Sequence, residues 1–426
     1  MKLSSLSLNP RLSGISWNFI EFFTLTTIFF LPFSKSIAEI GIITSLLLWL
    51  LRKFPYGEKF PTAPLVTAAY AVFFGFVLLS LIQVPPTLWP TGIRGVLKWA
   101  KHLAIFFMAL DYFKDAKRTQ RFAWVFLASM TVTCLDGFYQ MFTGFDFIKH
   151  YSADIPGRLV RMQGPLSSPN DLAAFLIIGL PMIFFAWMEE KTWSLKSAVL
   201  AALTALFGVA FASTLSRGAM LALFISSVFY ALCAQKKKAL WLLAVIPAIV
   251  LASPMLRYNF ISSLGPKDIT VGERLKMWGT CLRMIQEHPI LGNGVNLFAE
   301  KFNLFSEMAK SYKGYAHNCY LQMAAEIGIP GLLAFLLPLV FILLPAVLKN
   351  SAALQKSWLK SSLLVGIPAF LLQSALDTNF YALQAAMLFW LFWGLCAAIL
   401  FSETGERYCQ MLWSEFLALR ILPASF

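Results

Sequence analysis

Apolar runs of about 17 to 22 residues recur along the whole chain, each parted from the next by a short polar or basic segment. At 1.5 Å rise per residue such a run as a helix crosses a hydrocarbon core of about 30 Å. Backbone groups in lipid must also pair within their own segment, which a helix does. The runs at 16–33, 36–52, 62–83, 97–113, 122–143, 171–188, 197–213, 218–234, 239–254, 328–348, 361–376 and 384–401 are therefore read as transmembrane helices. The fold class this predicts is all-α, a polytopic membrane protein with about twelve transmembrane helices. A soluble fold is excluded by composition: of 426 residues, 58% are hydrophobic and 13% charged, more apolar surface than a water-borne core absorbs. The chain divides into helices one to nine (1–254), a long loop (255–327), helices ten to twelve (328–401) and a tail (402–426). No small-residue cleavage pattern follows Phe33, so the first run reads as a retained helix.

Basic residues orient the chain. Alternate loops hold Arg52, Lys53 and Lys59, then Lys114, Lys117, Arg118 and Arg121, then Lys191 and Lys196, then Lys236, Lys237 and Lys238, then Lys349, Lys356 and Lys360. Lys and Arg gather on the cytoplasmic side, which puts both termini there. A second basic set falls on the opposite side: Arg94, Lys98 and Lys101; Lys149, Arg158 and Arg161; Arg217; and a series from Arg257 to Lys313. The four histidines, His102, His150, His288 and His317, fall outside or at that boundary. In the long loop an ordinary solvated surface accounts for the cations, partly balanced by Asp268, Glu273, Glu287, Glu300 and Glu307. Arg94, Lys98 and Lys101 have helical spacing at the end of a span, from which they either snorkel to headgroups or serve a site.

Arg217 is different. It stands in Ser213-Thr214-Leu215-Ser216-Arg217-Gly218, a short turn between two apolar spans with no acidic neighbour in sequence. A cation so placed works against the topology and is expected to face a polar cavity and bind an anion. Arg158 and Arg161 share a face if locally helical and do not if extended, and Asn170 and Asp171 read as caps of the next span.

The long loop has its own periodicity. Leu275, Trp278, Leu282 and Ile285 predict an amphipathic helix over 272–287 with Arg274 in its first turn, ended by His288-Pro289. Gly292-Asn293-Gly294 then turns into a second helix over about 295–312, so the loop reads as a helical cap on the outer face. His317 precedes the helical run 319–326; the helix dipole there favours a neutral imidazole able to accept a proton, the plainer role being a cap or packing residue. Neither outward carboxylates paired for glycosidase chemistry nor a Cys/His cluster with metal spacing is present. Of six cysteines only Cys281 and Cys319 face outward, and their spacing leaves pairing open.

Three segments together carry a resemblance: Ser213-Thr214-Leu215-Ser216-Arg217-Gly218; Gly272-Glu273-Arg274-Leu275-Lys276-Met277-Trp278 with His288-Pro289-Ile290-Leu291-Gly292-Asn293-Gly294; and Ala316-His317-Asn318 with Ile327-Gly328-Ile329-Pro330-Gly331. In this order and topology the chain resembles the O-antigen ligase and O-antigen polymerase superfamily of bacterial inner-membrane glycosyltransferases. The resemblance implies an architecture like that of the GT-C glycosyltransferases, and transfer of a polyprenyl-diphosphate-linked glycan to a hydroxyl on the periplasmic side, without nucleotide sugar, metal or other cofactor. It implies His317, Arg274 and Arg217 as catalytic residues. Arg217 and Arg274 would hold the diphosphate, with Arg158 or Arg161 as further candidates. The implied partners are the undecaprenyl-diphosphate-linked glycan donor, a lipid A-core acceptor and membrane lipids, with no nucleic acid. Polymerisation of glycan units, transfer to protein hydroxyls, and transport of a lipid-linked glycan are the competing readings.

Overall fold

Residues 16–54, 58–61, 63–152, 161–233, 240–241, 257–258, 261, 269–305, 314–348 and 357–404 are described by the structure, a computed structural model. In chain order the helices are α1 (Trp17–Phe30), α2 (Lys35–Lys53), α3 (Pro64–Leu79), α4 (Trp89–Tyr112), α5 (Ala116–Thr143), α6 (Pro169–Glu189), α7 (Leu195–Ser213), α8 (Arg217–Cys233), α9 (Ile269–Glu287), α10 (Phe298–Phe305), α11 (Cys319–Leu348), α12 (Trp358–Ser374) and α13 (Leu383–Thr404). The fold is all-α; the extended pairing among the described residues is one isolated bridge, Phe145 to Ser152. Among the described residues, six segments are long and apolar enough to cross a membrane: Pro64–Gln83, Ala116–Thr143, Pro169–Glu189, Leu195–Ser213, Cys319–Pro345 and Leu383–Phe401. The expected count of about twelve adds to these the shorter apolar α1 and α8, the 17-residue α12, and α2 and α4, which carry several charges each. The expected span 239–254 lies outside the described residues apart from Leu240 and Trp241.

Local sequence sets the ends of the helices. The side chains of Ser16, Ser34, Asp115, Ser168 and Ser194 accept hydrogen bonds from first-turn backbone N–H groups. α5 stops at Gly144, which takes φ 89°. α4 starts at Trp89, well before the expected 97, because its first turns carry Pro90 and Arg94 in place of an apolar run.

α6 and α13 are the interior helices: 83% and 89% of their apolar windows are buried, against 33% for α3 at the periphery. α13 packs on α4, α6 on α12 and α7, α8 on α12, and α3 on α11. Their seam is aromatic, with Trp390 and Trp393 fully buried and the Trp393 indole N–H donating to the Tyr70 hydroxyl at 2.7 Å. Phe19, Phe22, Leu47, Val72, Leu221, Phe224 and Phe229 point outward, as on helices whose surroundings are apolar.

A second, smaller core lies apart from the bundle. Met277, Cys281 and Met284 of α9 pack with Phe298 and Phe302 of α10 and with Ala316 and Ala325. This is the helical cap of the long loop, attached to the beginning of α11. α10 begins at Phe298 and not near 295, because Gly292, Gly294 and Asn296 all take positive φ and hold the chain in a turn. The rest of the expected second cap helix, after Phe305, lies outside the described residues.

The attachment is a backbone crossing. α11 is broken at Gly328, at φ 80° and ψ 166°. The segment 289–294 enters this break: Ile329 N–H donates to the Pro289 carbonyl at 2.8 Å, Asn293 N–H to Ala325 at 2.8 Å and Gly294 N–H to Glu326 at 3.0 Å. A Cβ on Gly292 would stand 2.3 Å from the Glu326 carbonyl carbon, and one on Gly328 would stand 2.0 Å from the Ile290 carbonyl oxygen. Both glycines are thus required by φ and by contact with rigid backbone. Gly328→Ala is expected to destabilise by about 2 kcal/mol or more, whereas Gly75→Ala, on an open helix face, should be neutral or stabilise by up to about 1 kcal/mol. Melting temperatures of the purified variants in detergent check the pair.

Candidate active site

The α7–α8 turn is the first wall of the site. The Thr214 hydroxyl donates to the Phe211 carbonyl at 2.7 Å and accepts from Ser216 N–H at 3.2 Å, which lets the chain reverse within three residues with Leu215 at φ 50°. A non-glycine residue in the left-handed region is uncommon and collects at functional sites. Arg217 follows as the first residue of α8.

Arg161 is tied to this turn. Its Nε donates to the Thr214 carbonyl at 2.8 Å and its Nη2 to Asn170 Oδ1 at 3.0 Å, while Met162 N–H donates to Ser213 at 3.0 Å. Residues 161–163 are non-helical, and Arg158 lies outside the described residues. The cap of α6 is Ser168, whose hydroxyl donates to the Asp171 carboxylate at 3.0 Å and accepts from Asp171 N–H at 3.1 Å. Asp171 thus takes part in capping as expected, and Asn170 instead receives Arg161.

One cavity of about 120 Å³ is lined by Arg161, Arg217 and Arg274, with Asn170, Gln373 and Asp377 among its other walls, and the first turn of α8 opens onto it. Guanidinium groups from three separate segments therefore meet at one place. Planar guanidinium forks match phosphate oxygens two at a time, an arrangement suited to an anionic ligand.

His317 joins the same cavity through Asp377. Asn318, not His317, caps α11: its Oδ1 accepts from the N–H groups of Tyr320 at 3.1 Å and Leu321 at 3.0 Å. His317 is thereby released from capping and sits at φ 48° with its Nδ1 3.3 Å from Asp377 Oδ1. The Asp377 side chain is 10% exposed and that of His317 37%. Burial pushes the Asp377 carboxyl up, but the bond and charge of His317, the Thr378 N–H at 2.8 Å and the charge of Arg274 outweigh it and hold the group below the ordinary carboxylate value. A carboxylate fixed against Nδ1 selects the tautomer with Nδ1 protonated and leaves Nε2 as the proton acceptor.

Four other cations of that second basic set have partners elsewhere. Arg94 donates to Thr91 Oγ1 at 3.0 Å, Lys98 to the Tyr381 carbonyl at 3.2 Å, Lys101 pairs with Glu39 at 2.5 Å, and Lys149 donates to the carbonyls of Pro32 and Pro165 at 3.2 and 2.6 Å. Cys281 and Cys319 are free and buried in different cores. Among the described residues no group of three or more His, Cys, Asp or Glu side chains is placed to hold a metal ion.

Sequence reasoning passed over Asp377 as a site residue. Its one local signal is a carboxylate at the end of an apolar run; its partner is 60 residues away. Asn170 and Gln373 carry no signal of their own.

Residues 200–336 match the family model described as O-antigen ligase. The matched segment runs from within α7 to α11 and contains Arg217, Arg274 and His317; Arg161 and Asp377 lie outside it. No curated protein matches the chain.

The lowered Asp377 carboxyl gives a pH signature. A carboxyl whose value falls on folding stabilises the fold above its unfolded value and loses that contribution as pH falls through the lowered folded value. The melting-temperature difference between wild type and Asp377→Asn should shrink as pH falls below about pH 4.

Proposed function

We propose that this chain, a member of the O-antigen ligase and polymerase superfamily, is an O-antigen ligase: it transfers an undecaprenyl-diphosphate-linked polysaccharide to a sugar hydroxyl of lipid A-core. The observation that carries the reading is one cavity lined by Arg161, Arg217, Arg274 and Asp377, the last of which is paired with His317. The work is placed at the bacterial inner membrane, with both termini in the cytoplasm and the cavity on the periplasmic side, in accord with the basic loops.

The donor brings its own activation. Its diphosphate carries about two negative charges, and the three guanidinium groups hold them. As the bond from the anomeric carbon to the phosphate oxygen breaks, charge grows on that oxygen, and contacts that strengthen with it lower the barrier. The acceptor hydroxyl attacks the anomeric carbon from the other face while His317 Nε2 takes its proton, a general-base contribution of about 10²- to 10⁴-fold. Asp377 orients the imidazole and stabilises the imidazolium that forms. One displacement with no protein nucleophile inverts the anomeric centre. The products are the extended lipid A-core and undecaprenyl diphosphate, with the proton left on His317 for release to solvent.

The same pair would serve an acceptor hydroxyl on a growing glycan or on a protein, so the acceptor distinguishes ligase from polymerase and from protein O-oligosaccharyltransferase. Purified enzyme given lipid-linked donor with and without lipid A-core should form product only with the core; elongated lipid-linked chains in its absence identify a polymerase. A transporter forms no glycosidic bond in detergent in either case.

Two variants separate the roles. His317→Ala is expected to cut turnover by about 10²-fold or more with donor still bound, whereas Arg274→Ala and Arg217→Ala should also weaken donor binding. Donor affinity by titration and turnover by product formation measure the two effects. Wild-type turnover in His317→Ala removes the base.

A further inference from the structure

His317 is held in the left-handed region by its neighbours. Ala316 is buried, and both of its backbone polar groups are bound by side chains. Its N–H donates to Gln322 Oε1 at 3.1 Å, and its carbonyl accepts from the Trp278 indole N–H at 3.1 Å. The first bond fixes the peptide plane before Ala316 and the second fixes the plane between Ala316 and His317. Together they set the direction in which the chain enters His317.

Each partner is itself fixed. Gln322 Nε2 donates to Glu326 Oε1 at 3.0 Å, so the amide presents its oxygen to Ala316. The other Glu326 oxygen accepts from Asn296 N–H at 3.1 Å, in the turn that follows the backbone crossing. Trp278 lies on α9, one turn after Arg274, and packs against the core of the cap.

We propose that Trp278 and Gln322 are positioning residues for His317: by binding the two backbone groups of Ala316 they impose the left-handed conformation that brings the imidazole to Asp377. The inference rests on His317 acting as the base. Neither side chain lines the arginine cavity, so removing either bond displaces the base and leaves the diphosphate cradle.

The test uses the full-length protein in detergent with lipid-linked donor and acceptor. Trp278→Phe keeps an aromatic ring and removes the N–H; the benzothiophene analogue of tryptophan at 278 keeps the full shape and serves if the Phe variant does not fold. Gln322→Met removes the acceptor at similar volume. Turnover should fall about 10- to 100-fold in each folded variant, with donor KM within about twofold of wild type. A merely structural role for Trp278 would shift α9 and with it Arg274, and so raise donor KM. A rise in donor KM like that of Arg274→Ala, or wild-type turnover in the variants at both positions, overturns the proposal. An inactive His317→Ala beside a fully active Trp278→Phe and Gln322→Met sinks the positioning role alone; an active His317→Ala sinks the base reading beneath it.

Discussion

Everything in the site depends on the crossing of residues 289–294 through the break in α11. Backbone meets backbone there, with Gly292 against Glu326 and Gly328 against Ile290, and three backbone hydrogen bonds between the two segments close the contact. The crossing locks the cap to the helix that His317 precedes. Arg274 rides on the cap, and Asp377 is presented by the connection between α12 and α13. Without a rigid junction, His317 and one guanidinium would belong to a body free to move against the other guanidinium groups.

The bundle beneath supplies a frame and little chemistry. α6 and α13 are almost wholly enclosed by other helices, so their apolar faces contribute packing on all sides. The polar side chains of the site, Arg161, Asn170, Gln373 and Asp377, come from the ends of helices or from the segments between them. This follows from the solvent: within an apolar layer a helix satisfies its own backbone, and the chain can expose turns, breaks and left-handed residues only where that layer ends.

That same physics decides what could be read from the sequence. The helices were legible because span length and apolar runs are local properties, although α4 starts early and the charges of α2 and α4 separate them from the purely apolar spans. Arg217 was legible because a short loop gives a cation nowhere else to go, and Arg274 because α9 announces its period. His317 was placed correctly before a helix, with the capping duty passing to Asn318. Asp377 was not legible as its partner, nor was the bond from Arg161 to Thr214 across 53 residues, because contacts between distant helix ends leave no period or spacing behind. Gly292, read from the sequence as part of a turn, and Gly328 are the steric terms of a junction.

One consequence of the α7–α8 turn concerns the field in the cavity. Arg217 is the opening residue of α8, and the first turn of that helix, with Ser216 and Gly218, forms part of the wall. The peptide groups at a helix start carry a partial positive charge of roughly half an elementary unit in sum, directed out of the N-terminus. An anion entering this cavity would therefore meet, beside three guanidinium groups, a dipole made of backbone. That share of the attraction has no proton to lose and no side chain to rotate away, and it is oriented before any ligand arrives.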